Sequence, residues 1–168
     1  MRILIFTEGT IIMHKNASSH TRDEIVKQSK GFFWVFRDKS VHDYKSYVPV
    51  GNAVKKLQNW KKDGAEILYL SSHETAEDVE KDKFVLKKYG FPDGQVLFRQ
   101  ADEQYKDIAE KIMPDILIED DCESIGGKDE MTITHVKPEI KKKIKSIVVK
   151  EFSGLDHLPE KISALLKY

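Results

Sequence analysis

Ile3–Ile11 reads ILIFTEGTI: an apolar run through Phe6, then Thr7, Glu8 and a glycine. A strand with one wet face alternates polar and apolar residues, so an unbroken run stopped by Gly9 suits a strand covered on both faces. It reads as a central strand of a parallel sheet.

Outward from it, apolar runs and helical periodicities take turns. Strands are expected at Glu66–Leu70, Val96–Phe98, Ile116–Ile118 and Ser146–Val149. Between them lie helices. Ala53, Val54, Leu57 and Trp60 recur at helical spacing from an Asn52 cap to Gly64, and Val79, Val85, Leu86 and Tyr89 do so over Ala76–Tyr89. Asp102 is expected to cap a helix carrying Tyr105, Ile108, Ala109 and Ile112 that Pro114 ends. Pro138 opens another through Lys145, and Pro159 a last one with Ile162, Leu165 and Leu166. Such alternation implies βαβ crossovers, so the expected fold class is α/β: a doubly wound, mostly parallel Rossmann-like sheet with helices on both faces.

The stretch 14–49 departs from this rhythm. Thr21 and Glu24 form a capping-box pattern before a short helix that Gly31 would end, and the aromatic run Phe32–Phe36 and the turn-like Arg37–Ser40 suggest a hairpin. It reads as a small cap inserted after strand one, within a single domain of 168 residues. That aromatic run could close over a site or hold a second subunit, making a homo-oligomer. His14, His20 and His42 lack ligand spacing and read as surface or lid residues.

Composition narrows the function. With 28 basic and 28 acidic residues the net charge is zero, which gives no global field for nucleic acid or an anionic membrane. The lysines from Lys137 to Lys150 read as a solvated face, since arginines and interleaved aromatics are missing there. MRILIF is too short for a membrane span or signal segment. Cys122 is the single cysteine, and the expected address is cytoplasmic.

In doubly wound sheets ligands gather at the carboxyl ends of the strands. Those ends offer acids (Glu8, Glu119, Asp120, Asp121), hydroxyls (Thr10, Ser71, Ser72) and Lys106 from the helix before strand four. Carboxylates suit Mg²⁺, and hydroxyls, backbone N–H groups and a lysine suit phosphate oxygens. The order ILIFTEGTI, ILYLSSHE, then Lys106 ahead of PDILIEDD resembles the haloacid dehalogenase-like (HAD-like) superfamily, of phosphatase and nucleotidase type. That family reads a strand followed by Asp-x-Asp-Gly-Thr, a strand ending in Ser or Thr, an upstream Lys, and a strand ending in paired acids.

The resemblance implies roles. Matched through Gly9 and Thr10, it puts Phe6 at the nucleophile position, Glu8 at the general acid/base, Ser71 at the phosphate-binding hydroxyl and Lys106 at the catalytic, charge-neutralising lysine, with Gly9, Thr10 and Ser72 beside them as further phosphate contacts. Glu8, Glu119 and Asp120, or Asp121 one residue along, would hold Mg²⁺. Phenylalanine can neither attack phosphorus nor ligate a metal, so the first motif is degenerate and the metal site weakened. Three functions follow as expectations. One is a protein that binds a phosphorylated small molecule or nucleotide without aspartyl-phosphate turnover. Another is a Mg²⁺-dependent hydrolase using Glu8 or a metal-activated water. The last is an interaction module acting through the aromatic insert.

Overall fold

The computed structural model describes residues 1–30 and 42–168. Five parallel strands form the main sheet: β1 (Arg2–Phe6), β4 (Glu66–Leu70), β5 (Gln95–Leu97), β6 (Ile116–Asp120) and β7 (Lys145–Val149). Their spatial order is β5-β4-β1-β6-β7. β1 lies in the middle, with Leu4 opposite Leu68 on one side and Leu117 on the other. The chain winds outward from β1 in one direction, returns, and winds the other way, which is a Rossmann-like α/β arrangement.

Side chains of a strand point to alternate faces, and each face here has its own core. Ile3, Ile5, Ile67, Tyr69, Ile116 and Ile118 pack on one side with Leu57 and Trp60 of α2 (Ala53–Lys62) and Val85 and Leu86 of α3 (Ala76–Tyr89). Leu4, Leu68 and Leu117 pack on the other with Ile108 and Ala109 of α4 (Tyr105–Ile112) and Ile133 of α5 (Thr132–His135). Helices on both faces explain why the strands are nearly continuous in apolar residues.

Within 14–49 the described parts are a 3-10 turn at Lys15–Ser19, α1 (Arg22–Lys30), and a second turn at Tyr44–Ser46. Thr21 and Glu24 form half of the expected capping box: Glu24 accepts the Thr21 N–H (2.8 Å), and the Thr21 hydroxyl donates to the same carboxylate (2.9 Å). Phe32–Phe36, Arg37–Ser40 and the Gly31 stop lie outside the described residues. A two-stranded antiparallel sheet of β2 (Ile12–Met13) and β3 (Val48–Pro49) ties the ends of this stretch together, and the sequence did not announce it.

Two other helices differ from expectation. Asn52 precedes α2 without a side-chain cap, and Asp102 sits in a left-handed turn at φ 65° while Gln104 takes the N-cap of α4. After Pro138 only α6 (Pro138–Lys141) is α-helical before β7, and α7 (Ile162–Leu165) starts later than Pro159.

Candidate functional site

A cleft of about 570 Å³ opens above the carboxyl ends of β1 and β6, at the point where the winding direction reverses. The loop after β1 makes its floor. Thr7 donates its N–H to Leu70 (3.0 Å), and its carbonyl accepts from Ile11 (2.9 Å) and Ile12 (3.0 Å). Gly9 stands at φ +77°, where a Cβ would lie 2.9 Å from Asp120 Oδ2. Only glycine permits both that backbone angle and so close an approach of the loop to the end of β6.

One wall is aromatic and cationic. Phe6 meets the Tyr105 ring edge-on at 5.1 Å. Tyr105 donates its hydroxyl to the Ser72 carbonyl (2.9 Å), and burial pushes that phenol up to about 12. The Arg99 guanidinium lies 4.3 Å over the same ring and pairs with Glu74 at 2.6 Å. Its Nε is buried without a hydrogen-bond partner among the described residues. Lys106, on the first turn of α4, lines the cleft beside them.

The facing wall is acidic. Asp120 accepts from the Thr10 hydroxyl (2.8 Å) and the Cys122 N–H (2.9 Å). Glu151, after β7, accepts from the Ser124 hydroxyl (2.6 Å) and N–H (2.8 Å). Asp121 accepts from the Glu151 N–H (3.0 Å) and sits 3.6 Å from Arg22, which also pairs with Glu123 at 2.6 Å. Burial raises the carboxyl pKa of Asp120 and of Glu151 above the ordinary range. Glu119 does something else. Both its oxygens cap the start of α5, accepting from Thr132 (2.7 Å) and Ile133 (3.0 Å), while burial holds its pKa up.

Glu8 turns toward β4 and α3. Its Oε2 accepts from the Thr7 hydroxyl (2.7 Å) and the Ser72 N–H (2.8 Å). Its Oε1 is 3.3 Å from His73 Nε2, which is 3.5 Å from Asp82 Oδ1 on α3. Burial, then the nearby Asp82 carboxylate, push Glu8 up to about 8. For His73 burial works downward, but the adjoining Asp82 and Glu8 carboxylates outweigh it and raise the imidazole. For Asp82 burial works upward, and its contacts with Glu8, His73 and Ser71 overcome this and hold it low.

The expected site residues are thus partly gathered and partly dispersed. Phe6, Glu8, Gly9, Ser72, Lys106, Glu119 and Asp120 all line the cleft. Thr10 and Ser71 are fully buried and give their hydroxyls to Asp120 and Asp82 instead, the latter at 2.6 Å. The four acids expected around one metal do not form one group. Glu8 joins His73 and Asp82, while Asp120 and Asp121 join Glu151, and in each trio the ligand atoms lie within 4.8 Å of one another. Either acidic cluster could hold a metal ion. The all-oxygen donors of Asp120, Asp121 and Glu151 fit the hard cation Mg²⁺.

Arg99, His73, Asp82 and Glu151 had no assigned role in the sequence. Asp82 carried a usable signal: it lies on the apolar stripe of α3 with Val79, Val85 and Leu86, where a carboxylate needs a partner.

No protein-family model matches the chain, and no curated protein sequence does. Solved structures do. A class C acid phosphatase from Bacillus anthracis, crystallised with tungstate bound, superposes over 91% of this chain and 68% of its own at TM-score 0.57 and 14% identity. A chain of the Pnkp1/Rnl/Hen1 RNA repair complex superposes over 89% of this chain at TM-score 0.55 and 13% identity. This chain spans 42% of the length of that one. At such identities the likeness is one of fold.

Proposed function

We propose that the cleft binds a phosphorylated small molecule or nucleotide, and that the chain is a HAD-like protein without aspartyl-phosphate turnover. The observation that carries this reading is the pairing of two cations, Arg99 and Lys106, with an apolar Phe6 where the resemblance would put a nucleophile. Phosphate oxygens are well met by a guanidinium fork and an ammonium, and Phe6 offers no lone pair to attack phosphorus. Met13, Tyr105, Ile125 and Phe152 supply an apolar lining for a base or other unpolar body. Asp120, Asp121 and Glu151 would hold a Mg²⁺, which when bound neutralises phosphate charge. The fold likeness to an acid phosphatase agrees with a phosphate-handling ancestry.

The test is a thermal-shift series with inorganic phosphate, nucleotides and sugar phosphates, with and without Mg²⁺. Ligand at about 100 times its Kd stabilises by about 2.7 kcal/mol, a shift of several degrees for a chain of this size. The double variant Arg99→Ala, Lys106→Ala should lose it. If no phosphate compound moves the melting point, the reading fails. Release of phosphate from an aryl phosphate that needs Mg²⁺ and disappears in Glu8→Gln and Asp120→Asn would make the chain a hydrolase instead.

A further inference from the structure

We propose that Glu8, His73 and Asp82 form a binding site for a divalent cation of the zinc class at the edge of the cleft, which Glu8 also lines. Three atoms carry the inference. Glu8 Oε1, His73 Nε2 and Asp82 Oδ1 are all buried, and none has a hydrogen-bond partner among the described residues. Asp82 is wholly inaccessible and His73 is 9% exposed, so bulk water does not satisfy them. Native proteins rarely leave one such atom unpaired, and here three face the same point.

Each carboxylate is held by its other oxygen. Thr7 and Ser72 fix Glu8 Oε2 at 2.7 and 2.8 Å, and Ser71 fixes Asp82 Oδ2 at 2.6 Å. Hydrogen bonds of this kind orient metal ligands and leave the inner oxygens aimed at the ion. Tyr44 lies against the imidazole, ring centres 4.0 Å apart, and restrains its tilt. The Nε2 contacts of 3.3 and 3.5 Å are long for hydrogen bonds. They match the ligand-to-ligand edge of a tetrahedron, about 3.3–3.4 Å for bonds of about 2.0–2.1 Å.

The chemistry selects the ion. One imidazole nitrogen with two carboxylate oxygens is a common zinc donor set, whereas Mg²⁺ asks for oxygen only and keeps several waters. Two carboxylates cancel a dication, so the buried assembly would be neutral, as a region cut off from water requires.

The competing occupant is a proton, giving an imidazolium between two carboxylates. Zinc titration of the chelator-treated, untagged full chain separates the two. One zinc ion per chain is expected by elemental analysis after gel filtration, with a raised melting temperature that millimolar Mg²⁺ does not reproduce. His73→Ala and Asp82→Asn should each weaken binding by more than the ~10–100-fold that loss of a supporting hydrogen bond costs. Asp121→Asn should not. Because the first two variants alter a buried network and could fail to fold, amide resonances of the unmodified chain provide a second measurement. Zinc should move those of Ser72, His73 and Asp82. Absence of stoichiometric zinc, affinity unchanged in folded His73→Ala and Asp82→Asn, or shifts centred on Asp121 and Glu151 would overturn the proposal.

Discussion

Thr10 is fully buried, and its hydroxyl donates to Asp120 Oδ2 across 2.8 Å, tying the loop after β1 to the end of β6. Losing a hydrogen bond inside the fold strands a buried acceptor, which costs more than the bond itself contributes. Thr10→Ala should therefore cost about 1.5–3 kcal/mol in urea denaturation, and Thr10→Ser should recover most of that. An unchanged midpoint for Thr10→Ala would show that the bond contributes nothing. The same residue shows where sequence reading stops. That Thr10 and Asp120 share one sheet edge follows from strand order, but whether a hydroxyl faces the cleft or the interior depends on backbone direction at one residue. Thr10 and Ser71 both turn inward, and their hydroxyls donate to Asp120 and Asp82. His73 and Asp82, nine residues apart on a loop and a helix, meet where Asp82 of α3 accepts the hydroxyl of Ser71 just after β4.

At the level of elements, the strands were legible because each is a short apolar run between breakers. Glu66–Leu70 and Ala76–Tyr89 match expectation residue for residue. Caps were harder, since Ser, Thr, Asp and Asn suit turns as well as helix starts. Asp102 illustrates this. It occupies a left-handed turn at φ 65°, and α4 is instead closed by the Gln104 N–H donating to Asp107 at 2.8 Å. Because the reciprocal partner sits at the third helical position, Asp107→Ala should lower stability by about 0.5–2 kcal/mol. Asp102→Asn, which keeps a residue tolerant of that turn, should stay within about 0.5 kcal/mol. Equal losses by thermal denaturation would restore Asp102 as the cap.

Across the whole molecule, one sheet divides two cores that share its backbone. Ile5 belongs to the first and Leu117 to the second, and both are fully buried. Neighbouring residues of a strand serve opposite cores, so neither core survives if the sheet separates. Unfolding should therefore be a single transition despite the two-sided packing. Trp60, wholly buried in the first core, reports one face by fluorescence once Trp34→Phe has silenced the other tryptophan. Cys122 packs against the second core, and burial drives its thiol pKa far up, so its labelling reports the other face. In urea the two signals should share one midpoint. Ile5→Ala and Leu117→Ala should each lower both midpoints together, by about 2–5 kcal/mol. Exposure of Cys122 at a denaturant concentration that leaves Trp60 fluorescence native, and a Leu117→Ala variant that moves the thiol signal alone, would instead divide the chain into two units of separate stability.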